Sequence, residues 1–355
     1  MLVWLILAAV PFFIATAFIT RAYHAQERRF AHQWRARGER AFSAGDPVTA
    51  AEAFRNALTF ARDDGELKLE LARALRASRR GFEARTYLLA LRDEQPGDGP
   101  VNLELGRLAV EDRDPTAAIR YYHDAIEGAW RHEPEQARRG ARLELAEFLV
   151  RDRVTAAAQA ELISLAGDLP GDPAFEERVA TLMVDADMPS RGLPILRTVL
   201  SSRPSAAAAA GRAAFALDQD ALAERYLTAA RAQGDADASI GEMLEVLELS
   251  RAADPFLPRL PVRERIARAV RDLDAALARV DSCVNVPADS SNTLKHEIGR
   301  LRDELVRSRT VDPDLLQQTL QAVLRAETAA ASCPQETSSD RALVRIAHRH
   351  QGAAQ

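Results

Sequence analysis

The stretch HEIGR, beginning at His296, opens like a zinc-binding helix, but the second histidine needed four residues on is replaced by Arg300. One ligand does not make a zinc site. His348 and His350 are two residues apart, a spacing that turns them to different faces of a helix, and they read as a solvated tail. No G-x-x-x-x-G-K, G-x-G-x-x-G or G-x-S-x-G occurs, and Gly97 and Gly99 fall in a turn between helical segments. The residues that could do chemistry therefore point away from catalysis. No catalytic residue, cofactor, metal or small-molecule substrate is expected.

Composition narrows the remaining classes. Of 355 residues, 47% are hydrophobic and only 6% aromatic, which supports a buried core built from small and aliphatic side chains. Ala, Leu, Arg and Glu dominate and no sustained Val/Ile/Thr alternation occurs, so the fold reads as all-α. Lysine appears only at Lys68 and Lys295, but a GC-rich genome favours Arg without any function attached. With a net charge of -5, nucleic acid is not an expected partner. The uncharged run Leu2–Thr20 is long enough, at ~1.5 Å per residue, to span most of a bilayer core. It lacks a basic segment before it and an A-x-A site after it, so it reads as an uncleaved transmembrane anchor rather than a signal peptide.

Downstream, small residues recur at Gly38, Ala72 and Gly106, and again at Ala50, Ala84 and Ala118. Larger residues keep the same 34-residue step at Phe54, Leu88 and Tyr122, and a fourth row runs Ala57, Leu91, Ala125. The pattern resembles the tetratricopeptide repeat, a helix-turn-helix unit with Trp, Leu-Gly, Tyr, Ala, Phe, Ala and Pro at fixed positions. Trp34, Gly38, Gly45, Ala50, Phe54 and Ala57 match; Ala41 and Arg62 replace the usual Tyr and closing Pro. An insertion of six residues near HEPEQA shifts the frame after the third unit. Further units carry Ala146, Ala158 and Leu162, then Ala180, Gly192 and Leu196, then Gly211, Ala223 and Leu227. The resemblance implies an α-solenoid of about six helix pairs, because one repeat cannot bury its own apolar face.

It also implies that function lies on the inner helices, which in such proteins line a concave face that holds a peptide or partner helix. Arg35, Glu70, Arg73, Glu104, Arg107 and Glu144 fall there and are the candidate partner-binding residues. The Lys and Asn of the family's carboxylate clamp for chaperone tails are absent. A bland alternative is that Glu70 with Arg73, and Glu104 with Arg107, form surface salt bridges three residues apart on their own helices.

After DPFLPRLP the period changes. Ile266, Val270, Leu273, Leu277 and Val280 form a heptad seam, followed by Leu294, Ile298, Leu301, Leu305 and then Leu316, Leu320, Val323. Short loops favour an antiparallel helical bundle, with a last helix from about Ser339 packing through Leu343 and Ile346. The domains read as anchor 1–21, solenoid 22–234, capping helix and linker 235–260, and bundle 261–355.

Two signals set the side of the membrane, and they oppose each other. Arg21, Arg28, Arg29, Arg35, Arg37 and Arg40 follow the apolar run and favour a cytoplasmic soluble part. Cys283 and Cys333 end the first and third bundle helices, at the same end of an up-down-up trio; a disulfide there would persist only in an oxidising compartment. Two buried thiols are the alternative. The cysteine pair tips the reading to the extracytoplasmic side of an inner membrane, with the cytoplasmic face as alternative. The function expected is a bacterial-type, membrane-anchored scaffold that recruits or organises a protein or peptide partner. A regulatory or quality-control factor for envelope biogenesis is the alternative, and an enzyme with an unrecognised site the third.

Overall fold

The computed structural model describes residues 21, 25–283, 285–310, 312–331, 333 and 337–351. Among these, every regular element is helical apart from an isolated parallel bridge between Asp98 and Ala129. The apolar run Leu2–Thr20, read as an anchor, lies outside the described residues. Among the described residues no helix is long and apolar enough to cross a membrane. The chain divides into two compact units, Met1–Gly167 and Asp168–Gln355.

The first unit contains α1 (25–43), α2 (Pro47–Leu58), α3 (Gly65–Ala77), α4 (Gly81–Glu94), α5 (Gly99–Glu111), α6 (Pro115–Glu127), α7 (Pro134–Arg151) and α8 (Thr155–Ala166). Helix starts are written into the sequence as capping aspartates. Asp46, Asp64, Asp98 and Asp114 each accept a backbone N–H three residues on, satisfying a donor that the helix itself cannot.

Each odd helix turns into the next even one through the same backbone bond. The N–H groups of Asp46, Arg80, Asp114 and Val154 donate to the carbonyls of Ala41, Leu75, Ala109 and Leu149, five residues back. This closure requires a left-handed residue at the preceding position. Gly45 fills it in the first pair, whereas Arg79, Arg113 and Arg153 adopt φ of 61°, 60° and 59° in the others. Each arginine bears a backbone cost of about 1 kcal/mol that glycine would avoid.

The small and large rows face each other within each pair. A Cβ on Gly38 would stand 2.5 Å from Cε1 of Phe54, and one on Gly106 would stand 3.2 Å from Cδ2 of Tyr122. Ala72 with Leu88, and Ala146 with Leu162, keep the same sixteen-residue separation and are fully buried. A hairpin of two close-packed helices follows from this register, since only a residue with little or no side chain admits the ring or branched chain opposite it.

The second unit contains α9 (Pro173–Asp185), α10 (Pro189–Val199), a 3₁₀ turn (Pro204–Ala206), α11 (Ala207–Ala216), α12 (Asp220–Ala232), α13 (Ala238–Ala253), α14 (Val262–Ser282), α15 (Ala288–Arg307), α16 (Pro313–Ala329) and α17 (Ser338–Gln351). Its first two hairpins repeat the same register. Ala180 and Leu196 are fully buried, and Leu227 lies 2.6 Å from the Cβ that Gly211 lacks. Asp187 and Asp218 take the left-handed turn position. The heptad seams then meet in one apolar core, with Leu273, Val280, Ile298, Leu301, Leu316 and Val323 all buried. Helix α17 packs on α13 and α16. Leu343 joins the bundle core and Ile346 packs with Leu320. The same helix is also tied to α11 and α12, where Arg345 binds Asp220 at the start of α12 and donates to the carbonyl of Phe215 near the end of α11 at 2.9 Å.

Candidate functional site

The six charged residues singled out in the sequence form a ladder of two separate ion-pair groups in the first unit, Arg35 with Glu70 and Arg73 with Glu104, Arg107 and Glu144, whose rungs run mostly between helices rather than along them. Arg35 on α1 binds Glu70 on α3. Arg73 and Arg76 on α3 donate to opposite oxygens of Glu104 on α5, at 3.1 and 2.9 Å. Arg107 on α5 donates to Glu104 at 2.7 Å and, through Nε at 2.8 Å, to Glu144 on α7. Of the two same-helix pairs expected, only Glu104 with Arg107 forms; Arg73 turns instead to the next repeat.

Burial explains the arrangement. Glu104 is 1% exposed, and an ionised carboxylate that far from water needs full pairing, which three guanidinium groups provide. The Glu144 hydrogen bond is the main influence holding the Arg107 guanidinium protonated beyond its usual range. Glu104, Arg107 and Glu144 therefore satisfy one another and hold consecutive repeats together. Burial pushes the Glu70 carboxyl above its usual value, opposed by the Arg35 hydrogen bond.

The other three ladder residues, Arg35, Glu70 and Arg73, line a groove of about 810 Å³. Its walls are the starts of α3 and α5, the end of α4, and the segment Ala129–His132 leading into α7. Six carboxylates line it: Asp63, Asp64, Glu66, Glu70, Glu94 and Asp98. Asp64 and Asp98 are the helix caps, so their charges are fixed by the fold at the groove wall. Asp63 is exposed and has no ion pair among the described residues, and Glu94 holds Lys68 only at 3.8 Å. Leu69, Leu91, Val101 and Trp130 supply apolar surface between the acids.

The fourth wall is the insertion that shifted the repeat frame. It crosses back over the start of α5: the Gly99 N–H donates to the Ala129 carbonyl at 3.0 Å, and the Ala129 N–H donates to that of Gly97 at 2.8 Å. Trp130 sits against Gly99, where any Cβ would stand 2.5 Å from the indole, and donates Nε1–H to the carbonyl of Ala125 at 2.9 Å. Gly97 lies in the turn its sequence context indicated, whereas Gly99 is the first residue of α5, and both seat the strap. From it Arg131 reaches Glu66, 65 residues earlier, at 2.8 Å. The sequence signals for this were the extra residues and the glycine pair; neither names Glu66 as the partner.

Elsewhere the chemistry is sparse. Among the described residues no group of three or more His, Cys, Asp or Glu could hold a metal ion. His296 lies on the outer surface of α15 beside Arg300 and Glu304. His350 departs from the expected solvated tail: its Nε2 is 3.2 Å from Oδ2 of the buried Asp254, and its ring stacks on Phe256 at 4.4 Å. His348 is exposed. Cys283 and Cys333 are joined by a disulfide with a Cα separation of 5.8 Å. Beside it the buried Arg279 donates to the carbonyls of Ala330 and Cys333, tying the α16 end to α14. Asp272 on α14 is buried, and that burial, with the charge of Asp254, pushes its carboxyl up to about 7 against the pull of Arg271 and Arg268.

Repeat register and paired helices are matched by a family model. That model, described as a tetratricopeptide repeat, matches residues 41–103. The segment runs from the end of α1 into α5 and so contains the walls of the groove except the strap, Arg35 and Ala137 on α7. No curated protein matches the chain. Similar solved structures include PilW, described as a widely conserved type IV pilus biogenesis factor, at 16% identity and a TM-score of 0.46, covering 61% of this chain and 98% of that one. A tetratricopeptide repeat protein from Parabacteroides merdae is 13% identical with a TM-score of 0.44, over 79% and 100% of the two chains. The P58(IPK) tetratricopeptide domain is 13% identical with a TM-score of 0.31, over 92% and 99%.

Proposed function

We propose that this chain is a membrane-anchored interaction scaffold, and that the groove of its first unit holds a polar segment of a protein partner. The observation that carries the reading is the groove itself: charged and apolar side chains together line a cleft large enough for several residues, beside a ladder of ion pairs between its helices. The ladder residues Arg35, Glu70 and Arg73 contribute from the groove wall, while Glu104, Arg107 and Glu144 set the spacing of the helices behind it. The apolar run Leu2–Thr20 supports attachment to an inner membrane, and the disulfide supports an extracytoplasmic soluble part.

The test is affinity purification of the full-length protein from its own membranes, with mass spectrometry of what co-elutes. A variant carrying Asp63→Arg and Glu94→Arg changes two exposed positions of the groove. It should keep its helical content and melting temperature and lose the partner. Retention of every co-eluting protein by that variant would overturn the groove as the docking site.

A further inference from the structure

Arg131 differs from the groove's other described arginines in how it is held. Arg35 contacts three carboxylates, Glu39, Glu66 and Glu70, and Arg73 is committed to the buried Glu104. Arg131 is 69% exposed and meets Glu66, itself 54% exposed, in a single contact. A pair so open to water contributes little to stability and is readily exchanged. Its backbone, by contrast, is fixed: Trp130 is packed on Gly99 and hydrogen-bonded to Ala125, and Ala129 is bonded to Gly97 and Gly99 on the other side. The guanidinium can leave Glu66 by side-chain rotation alone, with no movement of the strap.

The seat it occupies suits a cation. Glu66 stands in a wall that also carries Asp63, Asp64, Glu70 and Glu94, and the groove's carboxylates outnumber its arginines. Apolar surface from Leu69, Leu91 and Trp130 lies between those charges. We infer that the groove takes a basic, extended partner segment, one of whose arginine or lysine side chains replaces Arg131 on Glu66, so that Arg131 is a built-in competitor for its own docking site. The inference rests on the groove being the docking site, and it adds the partner's chemistry and a brake on its binding. Removing the competitor leaves Glu66 with only the longer Arg35 contact, at 3.5 Å, and tightens binding; removing the seat abolishes that gain.

The experiment uses the full-length protein in detergent and a fluorescein-labelled nonapeptide of alternating arginine and leucine, read by anisotropy. A second peptide carries citrulline at each arginine position, which keeps the shape and removes the charge. The arginine peptide should bind at least about ten-fold more tightly than the citrulline peptide, with affinity falling as salt rises. Arg131→Gln should tighten arginine-peptide binding about three- to five-fold, the factor an exposed ion pair allows. Glu66→Gln should weaken it, and adding Arg131→Gln to that background should change nothing further. All variants alter exposed positions, and their melting temperatures serve as the folding control.

If the arginine peptide binds and Arg131→Gln leaves its affinity unchanged or lower, the competitor role is overturned while the groove stands. If arginine and citrulline peptides bind equally, the basic-partner assignment is overturned. If peptide binding survives Asp63→Arg with Glu94→Arg undiminished, the docking site itself is elsewhere.

Discussion

Arg107 spans two repeats: its guanidinium donates to Glu104 on its own helix and to Glu144, 37 residues further on. Glu104 in turn receives Arg73 and Arg76 from the helix before. Charges that might have formed a surface stripe are instead the joints between stacked hairpins. Glu104→Gln keeps the shape and removes the one negative charge shared by three cations. It should destabilise the first unit by about 3 kcal/mol, as expected when one partner of a buried ionic network is lost. Chemical denaturation would show this as a lower midpoint with an unchanged slope. A loss below about 0.5 kcal/mol would mean the network does not bind the repeats together.

The small-residue row makes a graded prediction. The absent Cβ of Gly38 would overlap the Phe54 ring at 2.5 Å, whereas that of Gly106 would meet Tyr122 at 3.2 Å. Gly38→Ala should therefore cost more than Gly106→Ala, despite the equivalent repeat positions, and Gly106→Leu should cost about 1 to 3 kcal/mol by overpacking. Thermal melts of the three variants check the order. Gly106→Ala melting below Gly38→Ala would contradict the packing described for these two pairs.

How much of this was legible depends on the range of the interaction. Gly38 facing Phe54 was readable because both partners lie in one hairpin and their types recur every 34 residues. The Cys283–Cys333 juxtaposition could be argued from the polarity of successive helices. Arg73 choosing Glu104 over Glu70 was not readable, since the choice depends on how far one hairpin is offset from the next. Arg79, Arg113 and Arg153 in left-handed turns were hidden because the local hydrogen bond overrides their residue preference. The strap was visible only as extra residues and a glycine pair; its path depends on Gly99 admitting Trp130 and on the backbone bonds of Gly97 and Gly99 with Ala129.

In the second unit, stability should fall as pH rises. Asp272 titrates near 7 when folded, against an ordinary carboxylate value near 4 when unfolded. Below about pH 4 both states hold the proton and nothing is lost. Between about 4 and 7 the unfolded state ionises first, so stability declines, and the whole penalty, on the order of 4 kcal/mol, is present above 7. Asp272→Asn should raise the melting temperature at pH 8 and leave it nearly unchanged at pH 4. A difference between variant and wild type that does not vary with pH would refute this.

The disulfide closes a long loop around α15. Cys283→Ser with Cys333→Ser should cost the second unit about 4 kcal/mol on the chain-entropy account and leave the first unit's melting unchanged. In cells, a membrane-impermeant thiol reagent applied after selective reduction should label both cysteines if the soluble part is extracytoplasmic. Absence of labelling in unfolded, outer-membrane-permeabilised preparations would place it on the cytoplasmic face instead.

The measurement closest to the central claim is site-specific photocrosslinking in the native cells. A photoreactive amino acid at Glu94, on the groove wall, should capture a discrete protein partner, and the same group at Phe82, exposed outside the groove lining, should not. The Glu94 adduct should disappear when Asp63→Arg is added. Adducts that form at Phe82 but not at Glu94, or a Glu94 adduct indifferent to Asp63→Arg, would contradict docking in the groove.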